Sequence, residues 1–183
     1  MKRIFLIVIF IVLLAGCSIP KYEGTEDKAN GQDNVIENFM EKHGEPDIVN
    51  TLIADIDGDQ KVENFIVTKN DGLKLWYIDG EGKESVIVDG YGCDYLSFEL
   101  VSRGEEKHIA FMGYYEPSNT NLWVIRMKEG RPKIVFEFMA DWEIRIIPNG
   151  FQTVWKKYKD EGGYNLVVDS YLWNTNTGGY LKE

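Results

Sequence analysis

Histidine and cysteine are nearly missing from this chain, with two of each in 183 residues. His43 and His108 share no metal-ligand spacing with each other or with Cys93, and there is no GxSxG elbow, HExxH helix or phosphate-cradling glycine loop. The chemistries most easily read from sequence, nucleophilic hydrolysis, zinc catalysis and nucleotide binding, therefore have no motif here, and the chain is not expected to be an enzyme. Positive charge is short as well. Twenty Lys and Arg stand against thirty Asp and Glu, a formal charge of −10, which repels phosphate backbones and anionic head groups. No nucleic-acid partner is expected.

What is present begins with MKRIFLIVIFIVLLAGCSIP, a short basic end at Lys2 and Arg3 followed by an unbroken apolar run. Thirteen uncharged residues separate Arg3 from Cys17, fewer than the roughly twenty that a spanning helix needs, so residues 1–16 are expected to be an export signal. Leu14-Ala15-Gly16-Cys17 resembles the lipobox of bacterial lipoproteins. That resemblance implies cleavage before Cys17, lipidation of its sulfur with a diacylglyceryl group, and a chain anchored through that lipid to the extracytoplasmic face of a bacterial cell membrane. Each buried CH₂ of such chains contributes about 0.8 kcal/mol, and two or three chains make a stable anchor. Cleavage removes Lys2 and Arg3 and takes the formal charge from −10 to −12. It also leaves Cys93 as the remaining thiol, so no intramolecular disulfide is expected and the fold must be held by its core. Cys93 is expected to act as a small buried or half-buried apolar residue.

Residues 17–34, ending in KYEGTEDKANGQDN, lack apolar periodicity and read as a lipidated flexible tether. Residues 35–183 are the right size for one domain. Asp33-Asn34 is expected to cap a short helix, Val35 to Lys42, ending at His43-Gly44 and Pro46. His43 is expected at the helix end, close to free carbonyls. Thereafter β-branched and aromatic runs alternate with Asp-Gly, Glu-Gly, Asn-Gly and Gly-Gly turns, the pattern of an all-β domain. Twelve strands are expected, near 49–54, 63–69, 73–79, 84–88, 94–101, 107–115, 121–127, 132–138, 142–147, 151–158, 164–173 and 179–182. Leu75-Trp76, Leu122-Trp123 and Leu172-Trp173 recur at spacings of 47 and 50 residues, a period suited to a four-stranded unit. Twelve strands then divide into three blade-like antiparallel units with the Leu-Trp pair in the third strand of each. Three units are too few to close a propeller, so a partial, propeller-like array is expected, with a β-sandwich as the alternative.

One stretch, DIDGDQKVENFIV, carries four carboxylates in nine residues and then runs into an apolar strand. Calcium takes six to eight oxygens, usually from alternate positions of a tight loop. Asp55, Asp57 and Asp59 fall at positions one, three and five, the Lys61 carbonyl at seven and Glu63 at nine. An EF-hand is excluded because its sixth and twelfth positions, glycine and glutamate, are here Gln60 and Ile66. The strand-loop-strand arrangement resembles FG-GAP and VCBS repeats, whose blades carry DxDGDGxxD or DxNGDGxxE loops. That resemblance implies one structural Ca2+ held by Asp55, Asp57, Asp59, Lys61 and Glu63. Gln60 departs from the pattern, which has glycine there. The counterparts in the other units, Ser102 to Lys107 and Pro148-Asn149-Gly150, lack the acids, so one site at most is expected. An acidic turn kept in solution by water is the alternative.

Tyr91, Tyr95, Trp142, Trp155, Tyr164, Tyr171 and Tyr180 are candidates for stacking surfaces, although most large rings in a β domain fill the layers between sheets. Tyr114, Tyr115, Glu116 and Asn119 stand apart because they run from a strand end into a polar loop, where recognition is often placed. The functional expectation is a non-catalytic binding or scaffold module, with an envelope protein or glycan as partner. The alternative is a cell-envelope hydrolase or carbohydrate-active enzyme working through paired carboxylates. Cys17→Ala should release the chain from membranes and abolish incorporation of labelled fatty acid. Full membrane retention without label would defeat the anchor.

Overall fold

β-Branched and aromatic runs need a pleated, half-buried surface, and the computed structural model supplies it with twelve strands after one helix; it describes residues 29–44, 46–70 and 72–183. Cys17, the expected signal peptide 1–16 and most of the expected tether lie outside the described residues. The chain divides into two units, residues 1–39 and residues 40–183. In the first, the described residues all belong to helix α1, Ala29–His43. The helix starts six residues before the expected Val35, so Asp33 and Asn34 lie inside it instead of capping it. Their helix penalty is at most about 0.7 kcal/mol each, too little to stop the helix.

In residues 40–183, three four-stranded antiparallel sheets follow one another in chain order. The first holds β1 (Ile48–Ala54), β2 (Glu63–Thr68), β3 (Leu73–Ile78) and β4 (Glu84–Gly90). The second holds β5 (Tyr95–Arg103), β6 (Glu106–Tyr115), β7 (Asn119–Lys128) and β8 (Arg131–Ala140). The third holds β9 (Glu143–Ile147), β10 (Gly150–Tyr158), β11 (Tyr164–Asn174) and β12 (Gly179–Lys182). Within each sheet every strand pairs with the next in sequence, and the array is not closed among the described residues. Glu129 and Gly130, both at positive φ (55° and 69°), make the tight turn that brings Lys128 opposite Arg131.

Side-chain alternation builds two cores on the middle sheet. On one face Ile109, Phe111, Trp123, Ile125 and Met127 meet Phe65, Val67, Leu73, Leu75 and Tyr77 of the first sheet. On the other face Ala110, Met112, Leu122 and Val124 meet Ile144, Phe151, Trp173 and Tyr180 of the third. Three layers result, which sets aside a two-sheet sandwich. Each full burial of a Phe, Leu or Ile is worth about 1.5–3 kcal/mol, and together they hold the layers with no disulfide among the described residues. Cys93 is buried in the first of these cores, where loss of solvent pushes its thiol up.

The Leu-Trp pairs occupy β3, β7 and β11, the third strand of each sheet, and they are oriented alike. Leu75 and Leu122 each face the following sheet, and Trp123 and Trp173 each face the preceding one. Trp76, the first of the series, meets His43 instead, with ring centroids 4.8 Å apart. His43 Nε2 also lies 2.8 Å from Glu84 Oε2, which Lys42 reaches at the same distance. The His43 imidazole therefore bonds a carboxylate, where free helix carbonyls were expected. Burial opposes the charge of Glu84, but these two bonds outweigh it and hold its carboxyl below the usual range.

A polar cluster pins the third sheet to the second. Arg103 Nε donates to the Tyr180 hydroxyl at 3.0 Å and Nη2 to the Gly150 carbonyl at 3.1 Å, with the guanidinium 4.8 Å over Phe151. Gly150 is required there, since a Cβ would sit 2.2 Å from the Tyr171 carbonyl oxygen. Because Tyr180 accepts from Arg103, its own proton is free to point at His108 Nδ1, 2.9 Å away, leaving Nε2–H to face Glu106 at 3.3 Å. Burial pushes the Tyr180 hydroxyl up to about 12. Burial also lowers His108, with Arg126 and Arg103 adding to the effect and Glu106 opposing it.

A histidine held below its ordinary value of about 6.5 binds its proton more readily in the unfolded chain. Its contribution is therefore complete above that value and is lost as pH falls through it toward the folded value. Unfolding followed between pH 7 and 5 should show stability declining on acidification. His108→Gln should be less stable at pH 7 and show a shallower decline.

Candidate functional site

The eight residues between β1 and β2 reverse the chain by hydrogen bonds to their own carboxylates. Asp55 accepts from the Gly58 N–H at 2.7 Å and from the Gln60 N–H at 3.1 Å. Asp57 accepts from the Asp59 N–H at 3.2 Å, and Asp59 from the Lys61 N–H at 2.8 Å. Such Asx turns coil a short segment tightly. Gly58 takes φ 81° freely, while Gln60 takes φ 71° at a cost of about 1 kcal/mol. The turn therefore forms without the glycine that the resembled pattern has at this position.

Glu63 opens β2 and closes the mouth of the loop. It is 6% exposed and accepts from the Ile56 N–H at 2.7 Å. Carboxylate oxygens of Asp55, Asp57 and Glu63 lie within 4.8 Å of one another, forming a partly buried group that could hold a metal ion. Burial pushes the Glu63 carboxyl up; the Ile56 amide opposes this, and Asp57, Asp55 and Asp59 reinforce it by repulsion. Three of the five expected ligands are thus brought together. Asp59 lies outside that group, its carboxylate 3.6 Å from the Lys61 ammonium, because the Asx turn onto the Lys61 amide directs it away.

Tertiary structure adds partners that sequence reading did not find. Lys107 Nζ, from the start of β6, donates to the Asp55 carbonyl at 2.9 Å. The loop is thereby tied to the second sheet across a cleft of about 250 Å³ lined by Asp57, Glu106 and Arg126. A larger cleft of about 580 Å³ opens beside Glu63, lined also by Tyr77, Asp79 and Arg131. No spacing in the chain marks Lys107 or Arg131 as neighbours of the loop, since both arrive from another sheet.

The second candidate segment lies at the hairpin between β6 and β7. Tyr114 and Tyr115 end β6, half-buried, and Asn119 opens β7 opposite Tyr115. A cis peptide joins Glu116 to Pro117. The Glu116 N–H donates to Asp94 at 2.8 Å, and the Tyr115 hydroxyl to the Tyr91 carbonyl at 3.2 Å. Beside this loop lies a shallow cleft of about 160 Å³ lined by Tyr95, Tyr114, Tyr115 and Trp142. Tyr95 is 65% and Trp142 39% exposed. Lys156 holds one wall, donating to Ser118 Oγ at 2.6 Å while its ammonium sits 5.0 Å over the Trp142 ring. By contrast Trp155, Tyr171 and Tyr180 fill the space between the second and third sheets.

The chain matches no protein-family model, no curated protein and no solved structure.

Asp55 and Asp57 should behave differently when a chelator is present. Asp55→Ala removes the acceptor for two loop amides and should destabilise by about 1 kcal/mol, whereas Asp57→Ala gives up one longer bond, from the Asp59 N–H at 3.2 Å, and removes the larger repulsion on Glu63, so it should be close to neutral. Denaturant titration in excess EDTA measures both.

Proposed function

We propose that this protein is a lipid-anchored bacterial lipoprotein, displayed outside the cell membrane, that binds an envelope glycan or protein without transforming it and carries one structural calcium in the β1–β2 loop. The observation that supports binding most directly is the aromatic shelf. Exposed faces of Tyr95 and Trp142 stand beside the Tyr114-to-Asn119 hairpin, with Glu116, Ser118 and Asn119 at hand to hydrogen-bond. Rings offer flat apolar area at little entropic cost, and the polar groups orient what stacks on them. Their place at a hairpin on a rigid sheet suits recognition.

The calcium reading rests on the Asp55, Asp57 and Glu63 group. A hard dication favours oxygen ligands, and here a buried carboxyl faces further acids with no cationic side chain in the group to neutralise them. Asp59 and the Lys61 carbonyl, which the resemblance to FG-GAP and VCBS loops adds, complete the proposed set. A bound cation would join the end of β1 to the start of β2 and relieve the repulsion around Glu63. The same acids could instead serve a hydrolase. However, three carboxylates converge on one point here, where a glycosidase needs two that flank a bond, and such convergence suits a shared cation better.

Calcium at about ten times its dissociation constant should stabilise the fold by about 1.4 kcal/mol, raising Tm by about 3–5 °C. The constant itself is expected on the order of 10⁻⁴ to 10⁻³ M. Asp57→Asn with Glu63→Gln should abolish the rise; an unchanged Tm in wild type would leave only an acidic turn. For the shelf, co-sedimentation with purified cell-wall glycan and with envelope proteins should detect binding that falls about tenfold in the Tyr95→Ala, Trp142→Ala double variant. Absence of any binding, or equal binding by the variant, would refute the recognition role.

A further inference from the structure

The third sheet differs from the other two at its edges. Three strands at sheet edges carry an extra residue that breaks the register: β1 at Val49, β4 at Ile87 and β8 at Val135. Such bulges twist an edge away from further pairing. The pairings of the third sheet run without a break.

Its two central strands also outrun their neighbours. β9 pairs with β10 only as far as Val154, and β12 pairs with β11 only from Tyr171 onward. Beyond those points β10 and β11 continue as a two-stranded ribbon, in which every residue from Lys157 to Val168 is exposed. The two edges of this ribbon are not alike. That of β10 carries Lys156 and Lys157, a usual guard against pairing, and the Lys156 N–H is already bonded to Asp141. That of β11 reads Tyr164-Asn165-Leu166-Val167-Val168, without charge, proline or bulge. From Tyr164 to Asp169 it has no strand partner among the described residues.

The direction of the free groups follows from alternation. The Ser170 carbonyl accepts from the Glu183 N–H on the β12 side. Along an antiparallel strand every second residue points its N–H and C=O to the same side, so those of Tyr164, Leu166 and Val168 face outward. Leu166 and Val168 are 49% and 50% exposed, leaving an apolar strand edge open to water.

We propose that this edge is a dimerisation surface: β11 of one chain pairs antiparallel with β11 of a second copy, about a two-fold axis at Leu166. In that register Leu166 exchanges backbone bonds with Leu166 of the second copy, and Tyr164 with Val168. Tyr164 and Val168 become a cross-strand aromatic and β-branched pair, which stabilises sheets. Gly162 and Gly163 at the ribbon tip reach the end of β12 in the other copy without side chains to obstruct it. Charge favours a second copy at this place. Lys156, Lys157 and Lys159 balance Asp160, Glu161 and Asp169, so the ribbon is neutral in a chain of formal charge −10, and two acidic bodies meet where neither repels the other. The contact is isologous and self-limiting.

Sedimentation equilibrium on the full chain in mild detergent, across a concentration series, should show a monomer–dimer equilibrium. Leu166→Lys places like charges at the axis and should raise the dissociation constant by about tenfold or more. Leu166→Pro removes an outward N–H while sparing the β10–β11 ladder, and should abolish the dimer with far-UV circular dichroism unchanged. Because opposed residues of a hydrogen-bonded pair have Cα atoms about 5.5 Å apart, Leu166→Cys should form an intermolecular disulfide on oxidation. Leu100→Cys, on exposed β5, should not. A wild type that stays monomeric at every concentration overturns the proposal, as does a dimer that survives both Leu166→Lys and Leu166→Pro or fails to crosslink through Leu166→Cys.

Discussion

The middle sheet carries the fold because β6 and β7 are buried on both faces. In a strand, neighbouring side chains point opposite ways, so Ile109 and Phe111 serve one core while Ala110 and Met112 serve the other. The two cores therefore share one backbone. A change that shifts the register of β6 by one residue would turn each set of side chains into the wrong layer. With no disulfide among the described residues, both interfaces rest on this alternation and on the buried Arg103, His108 and Tyr180 cluster at the edge of the second.

That cluster and the acidic loop represent two ways of placing charge near a core. Arg103 is 3% exposed and each nitrogen of its guanidinium makes a hydrogen bond, to the Tyr180 hydroxyl or to one of two carbonyls, with an aromatic face beneath. Its desolvation is offset by bonds within the protein. Glu63 is nearly as buried, yet it has one backbone amide and several acidic neighbours. An anion so placed is stabilised either by taking up a proton or by a cation, and the open cleft beside it admits the second. The loop thus sets a buried carboxyl among like charges, and Lys107 ties it to the second sheet.

Much of the architecture was legible in the chain. No observed strand boundary lies more than two residues from its expected position, because alternating β-branched and aromatic runs broken by Gly turns are determined locally. The Leu-Trp recurrence located the third strand of each unit for the same reason: a repeated environment selects a repeated pair. Three of the four acids read as ligands converge, since their spacing along a coiled loop brings them together without help from elsewhere. Asp59 leaves that group because a local Asx turn competes for it. The helix start lies earlier than expected because Asp33 and Asn34 have the character of caps yet cost little inside a helix, and because Ala29 and Gln32 favour helix while Gly31 opposes it, so no single residue marks the boundary.

By itself the sequence determined element types, their order, the grouping in fours and the acidic loop, all of which depend on residues close together in the chain. Only tertiary structure decided which face of each strand meets which sheet. It also decided that Tyr95 and Trp142 stand exposed beside the Tyr114 hairpin while Tyr180 is sealed under Arg103, and that β11 outruns β12 to leave an edge open. These outcomes depend on packing and on relative strand length across the sheets. Residues separated by 77 positions, such as Arg103 and Tyr180, carry no local signal of a contact that exists only once the layers have closed on each other.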